Sequence, residues 1–151
     1  MLETLSDPGN ADRTWLYQTC TEWGFYQTCD LGSGCPYTQG LHTLSVDLDI
    51  CAAAFGIPPA AVLSRVGDTN TTYGGRGIQG ERILFVNGQI DPWHAASVLT
   101  PPPGSREEPT LWVPGASHHF WTHPSLPSDA PAIVQARQAI WAQVSHWLAL
   151  P

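Results

Sequence analysis

Positive charge is scarce in this 151-residue sequence: Lys and Arg total 6 against 13 Asp and Glu, a formal net charge of -7. A surface that follows a phosphate backbone needs clustered cations, so nucleic acid is not an expected partner. Long apolar runs are also missing. No stretch approaches the roughly 20 apolar residues that span a bilayer, and no membrane partner is expected. Met1 to Asn10 has neither the basic start nor the apolar stretch of a signal peptide. The four cysteines, Cys20, Cys29, Cys35 and Cys51, are separated by 9, 6 and 16 residues and contain no C-x2-C or C-x4-C pair. Zinc is therefore the weaker reading and disulfides the better one. There is no internal repeat, charge run or low-complexity tract. Finally, no serine is flanked as in G-x-S-x-G, the strand-to-helix elbow of a nucleophile. Ser33, between Gly32 and Gly34, lies among the cysteines and suits that role poorly.

What is present suits a single globular domain. Hydrophobic residues make up 42%, and seven tryptophans need a sizeable core. The cysteines and the sequon Asn70-Thr71-Thr72, with Asn70 a candidate glycosylation site, point to a secretory route. The missing signal is reconciled if the chain is the C-terminal portion of a longer secretory protein. Met1 to Arg13 reads as a flexible leader and 14–151 as the folded segment.

Ile83 to His94, ILFVNGQIDPWH, organises the rest. Ile83, Leu84, Phe85 and Val86 are bulky and unalternated, as in a strand covered on both faces, and Asn87-Gly88 is expected to stop it. In open α/β sheets chemistry sits beyond the carboxyl ends of strands, which is where Asp91 falls. Pro92 holds Asp91 extended and is itself suited to start a helix over Trp93 to Val98.

Elsewhere, Trp15 to Cys20 is rich in β-forming residues and predicts a strand. Thr21 to Gly40 reads as a covalently pinned loop. Leu44, Leu48, Cys51 and Phe55 form a helical stripe, with Ser45 as cap and Gly56 as stop. A short helix is expected from Pro58 to near Gly67, followed by an exposed loop, Asp68 to Gly80. That loop contains Gly75-x-Gly77-x-x-Gly80, but the dinucleotide fingerprint must follow a strand, and here it precedes one. After the proline-rich Pro101 to Pro109, Leu111 to Val113 predicts a second strand and Pro114 to His119 a loop. The last segment predicts a helix capped by Ser128 and Asp129, with Pro131 in its first turn. Its apolar stripe is Ile133, Ile140, Val144 and Trp147, joined by Val134, Trp141 and Leu148.

Strand, Asp-bearing turn, helix, strand, His-bearing loop, helix is the closing order of an α/β-hydrolase, in which acid and base follow the last strands. Asp91 and His118 are 27 residues apart, room for a crossover helix and a return strand. A serine hydroxyl is a weak nucleophile, so an imidazole must take its proton and a carboxylate must hold and support that imidazole. Taken singly, Asp91 reads equally well as a helix cap and His118 as an ordinary loop histidine. Their joint placement favours the catalytic reading, with His119 the rival base. His94, His123 and His146 read as structural or exposed. A metal held by His118, His119, His123 and Asp91 is disfavoured, since no H-E-x-x-H or comparable spacing occurs. The reading calls for no cofactor and no metal.

VNGQIDPWHAAS (Val86 to Ser97), GASHH (Gly115 to His119), WLYQTCTE (Trp15 to Glu22) and YGG (Tyr73 to Gly75) resemble the C-terminal part of the prolylcarboxypeptidase and dipeptidyl-peptidase II family of serine exopeptidases, in particular its thymus-specific branch. The resemblance covers nearly all of the chain after Arg13. It implies the last core strands of an α/β-hydrolase fold, with Asp91 and His118 as acid and base. The nucleophilic serine would lie upstream, in the rest of the hydrolase domain, so that this chain alone would be inactive. It further implies a peptide substrate, often with proline next to the cut, and a Cys20–Cys51 disulfide. Cys29 is then either free or paired with Cys35. The family often has Leu-Asp-Leu after its His pair; Phe120-Trp121-Thr122 stands here, which leaves substrate preference open. The alternative is a noncatalytic fragment or splice product that acts as a binding module.

Overall fold

The computed structural model describes Asp7, residues 9–104 and residues 107–151. Most of the expected leader thus lies outside the described residues. The chain forms two compact units, Met1–Gly75 and Arg76–Pro151, each considered by itself. Helices and one small parallel sheet make it a mixed α/β chain.

The first described element of the first unit is a helix. Helix α1 spans Ala11–Gln18, and the side chain of Asn10 caps it by accepting from the amides of Asp12 and Arg13. Ala11 to Arg13, the end of the expected leader, lie in this helix. The chain then widens into a π-helical turn, Thr19–Trp23, closed by Gly24 at φ 70°. The expected strand over Trp15 to Cys20 is thus a helix. The half-buried Leu16 and the buried Thr19 and Cys20 stand at i, i+3 and i+4. That is helical spacing, which outweighs the β-forming composition once Asn10 nucleates the first turn. Trp15 and Tyr17 are left about half exposed.

Helix α2, Leu44–Phe55, buries Leu48 and Cys51 and ends on Gly56 at φ 67°, the left-handed cap that glycine adopts without penalty. The residue before its first turn is Thr43, not Ser45, and it makes no capping bond. Helix α3 runs Pro59–Tyr73, well past the expected end at Gly67. Thr69 and Thr71 hydroxyls bond back to the carbonyls of Arg65 and Gly67, so the polar stretch taken for a loop continues the helix. Asn70 is exposed on its last turn. Cys20, Leu48, Cys51, Ile57 and Val62 form the core, and Cys20 is bonded to Cys51. Cys29 is bonded to Cys35, closing the loop whose Ser33 hydroxyl accepts from the Cys35 amide. The Tyr26 hydroxyl donates to the carbonyl of Thr19, and burial pushes its pKa above the usual tyrosine value.

In the second unit, β1 (Phe85–Gly88) and β2 (Thr110–Val113) pair in parallel, with Phe85 opposite Thr110 and Gly88 opposite Val113. The strand begins two residues later than the apolar run and includes Asn87 and Gly88, which were expected to end it. Both are buried, and the Asn87 amide group donates to the carbonyl of Val98 at 3.0 Å, so its polar side chain is satisfied inside. Among its described residues the crossover holds a 3-10 turn, Pro92–Ala96, where a full helix was expected. Helix α4, Pro131–Leu148, packs on β2 and buries Ile133, Ala136 and Trp147. Val134, Trp141 and Leu148 face out, 42, 71 and 78% exposed, because the apolar stripe is narrower than their sequence spacing implies. The expected cap residue Asp129 is occupied elsewhere: its carboxylate accepts from the Leu126 amide and from Arg137, which hold its pKa below the usual carboxylate range. Glu108 is only 3% exposed, and among the described residues neither of its carboxylate oxygens has a hydrogen-bond partner.

Candidate active site

Parallel pairing brings the carboxyl ends of β1 and β2 to the same edge, and Asp91 and His118 follow them by three and five residues. The ladder continues beyond the strands. The Gln89 amide donates to the carbonyl of Val113 and the Ile90 amide to that of Ala116, both at 3.0 Å. Asp91 is extended (φ -80°, ψ 115°), as the following proline requires. One carboxylate oxygen accepts from the Trp93 amide at 2.9 Å and the other lies 2.8 Å from Nδ1 of His118. Asp91 is thus a helix cap and the hydrogen-bond partner of His118 at once, and its two oxygens divide the roles.

The two partners differ in exposure. The Asp91 side chain is 8% accessible and that of His118 56%. An ionised carboxylate can only accept, so the short contact places a proton on Nδ1 and leaves Nε2 as the lone-pair edge of the neutral ring. That edge belongs to the exposed partner, and the Trp93 ring lies 6.2 Å away, centroid to centroid. An accessible imidazole backed by a sheltered carboxylate can accept a proton from an incoming hydroxyl, and the carboxylate stabilises the resulting imidazolium.

The other histidines are placed differently. His119, at φ 39°, directs Nδ1 to the Thr122 hydroxyl at 3.2 Å, and its ring lies 4.4 Å from that of His118. His94 Nδ1 is 3.2 Å from the Gly88 carbonyl and its ring stands edge-on to Trp112. His123 packs against Phe120, and His146 is exposed on α4. No group of three or more metal-ligating side chains occurs among the described residues. The glycine pattern at Gly75 to Gly80 lies between a helix and a strand, the reverse of a nucleotide-binding turn.

Sequence reasoning missed two supports of this site. Arg137 on α4 donates to the carbonyls of Trp121 and His123, to the Ser125 hydroxyl and to Asp129, pinning the segment that follows His118. A lone cation in an amphipathic helix carries no sequence signal of that role. Gly88 is the other. A Cβ there would lie 2.5 Å from the Ala116 carbonyl oxygen, and a glycine inside a strand pattern is the available hint of such close approach.

The family described as serine carboxypeptidase S28 matches residues 2–140. The thymus-specific serine protease of Mus musculus is 48% identical over 140 residues, 93% of this chain and 27% of that protein. Its Homo sapiens counterpart is 45% identical over 142 residues, 94% of this chain and 27% of that protein. A protein of Arthroderma benhamiae named "Probable extracellular serine carboxypeptidase" is 33% identical over 135 residues, 82% of this chain and 18% of that protein. The chain therefore spans about a quarter of the length of the mouse and human relatives. No solved structure matches.

Proposed function

The chain belongs to the serine carboxypeptidase S28 family, and from that premise we propose that it forms the acid- and base-bearing C-terminal part of a serine exopeptidase with an α/β-hydrolase fold. The observation that carries this reading is the 2.8 Å contact between the buried Asp91 carboxylate and Nδ1 of the exposed His118. In the reaction, Nε2 of His118 takes the proton of a serine hydroxyl as the oxygen attacks the peptide carbonyl, then returns it to the leaving amine. Asp91 keeps the ring in the required tautomer and stabilises the imidazolium. His118, not His119, is the base, because His119 directs its Nδ1 to Thr122.

The nucleophilic serine comes from a segment preceding the one described, which is this chain's partner in the hydrolase domain. The absence of any G-x-S-x-G and the chain's short span of its relatives support this. The chain alone is then inactive. Peptides cut near proline are the substrate class the family resemblance favours, in carboxypeptidase or dipeptidyl-peptidase mode. Two disulfides and an extracellular name among the relatives support a secretory, endosomal or lysosomal, or extracellular location. An exposed Asn70 in its sequon fits glycosylation. The missing elbow serine also favours a second reading, a noncatalytic module that keeps the fold.

Reaction of the natively isolated protein with a fluorophosphonate separates the two. Labelling is expected on a protein that contains these peptides and is larger than the 16.4 kDa of this chain. An unlabelled species at that mass alone would leave only the binding module.

A further inference from the structure

We infer that Gln89 and Gly88 are positioning residues for His118: together they set the loop that carries the imidazole against the turn that carries Asp91. This rests on the reading of Asp91 and His118 as a catalytic pair.

The His118 loop has little of its own to hold it. Between the end of β2 at Val113 and His118, only Ala116 is buried, and Pro114, Gly115 and Ser117 are exposed. An imidazole on such a loop would lose its register with Asp91 unless something outside the core fixed it. The exposed side chain of Gln89 supplies one tie, since its Oε1 accepts from the Gly115 amide at 2.8 Å. Two backbone bonds from Gln89 and Ile90 to Val113 and Ala116 run beside it. Three hydrogen bonds from two consecutive residues thus span the whole approach to His118.

Gly88 sets how closely the loop lies. A side-chain carbon at position 88 would stand 2.5 Å from the Ala116 oxygen, 2.9 Å from the Ser117 oxygen and 3.0 Å from the Ala116 carbonyl carbon. These are backbone atoms of the two residues immediately before His118, and no rotamer change moves them away. The carbonyl of Gly88 meanwhile accepts from the Asp91 amide at 3.3 Å and faces Nδ1 of His94 at 3.2 Å. One residue therefore touches both loops: the bare α-carbon admits the base loop and the carbonyl anchors the acid turn. A methyl group at 88 displaces the His118 loop, and loss of the Gln89 acceptor frees its first residue.

The experiment follows the Nδ1 proton of His118 in the 151-residue chain labelled with 15N-histidine, assigned by its disappearance in His118→Gln. The wild type is expected to show a strongly deshielded, slowly exchanging proton shared with Asp91. Gly88→Ala loses it. Gln89→Ala moves it upfield and speeds its exchange, whereas Gln89→Glu, which keeps an oxygen acceptor for the Gly115 amide, retains it. Should Gly88→Ala fail to fold, the exposed Gln89 pair decides alone. A signal unchanged in Gln89→Ala, or lost equally in Gln89→Glu, overturns the positioning role and leaves the catalytic pair standing. A wild type without the signal removes the pair itself, and the inference with it.

Discussion

The two units of this chain are held by opposite means. Met1–Gly75 contains all four cysteines, and its core packs around the Cys20–Cys51 bond, with Leu48, Ile57 and Val62 beside it. Arg76–Pro151 contains none. Its order comes from a short parallel ladder, a small apolar contact with α4 and directional bonds from Gln89, Asn87 and Arg137. The crosslinked unit withstands loss of any one hydrogen bond, because its disulfides restrict the unfolded chain. The uncrosslinked unit depends on geometry at each tie, and it is the one in which Asp91 and His118 meet. Covalent staples serve persistence; the site is built from interactions that fix angle and distance.

The largest effect expected from this contrast separates site from scaffold. In the active protein, Asp91→Asn lowers turnover about 10⁴-fold, by the wrong-tautomer effect known from other triads, with the thermal midpoint nearly unchanged. Peptide hydrolysis measured beside a melting curve checks this. Equal losses in both would mean that Asp91 is mainly the helix cap. Next in size is the crosslink. The 31-residue separation of Cys20 and Cys51 corresponds to about 3–4 kcal/mol of chain-entropy stabilisation. Replacing both by serine should therefore speed amide exchange throughout α2 and α3 while exchange in β1 and β2 is little altered. Exchange mass spectrometry that finds both units loosened alike breaks the comparison. The smallest effect has the opposite sign. Glu108 buries a carboxylate without hydrogen-bond partners in the directionally bonded unit. Glu108→Gln removes the charge at nearly constant shape and should stabilise the chain by about 1–3 kcal/mol in urea unfolding. Destabilisation would show that the carboxylate has a partner in the intact protein.

The contact between Asp91 and His118 was legible because its signals are local. A run of bulky residues, a turn, Asp-Pro and a second short strand specify where Asp91 and His118 stand, and parallel pairing does the rest. Helix α2 was legible for the same reason, through the spacing of Leu44, Leu48 and Cys51 and the stop at Gly56. The N-terminal helix was not. Trp15, Tyr17 and Thr19 suggest alternation, and only the pairing of Asn10 with the amides of Asp12 and Arg13 shows that a helix has begun. The length of α3 was hidden by Gly67 and a run of polar residues whose threonine hydroxyls bond within the helix. The clamp of Arg137 and the strut of Gln89 are tertiary, and nothing beside them in sequence announces their partners.

The ladder that continues past β1 and β2 has a consequence for the order in which the protein takes shape. Acid and base are joined by a span of 27 residues, and the cost of closing a loop rises only slowly with its length. Their encounter is a neighbourhood event on the chain, within reach of an early folding nucleus. Under the proposed function, a nucleophile supplied by a distant segment would meet a dyad already poised. Asp91 and His118 form a cassette that one stretch of polypeptide carries whole, and under the proposed function joining it to the rest of an enzyme would be a matter of docking, not of building the pair anew.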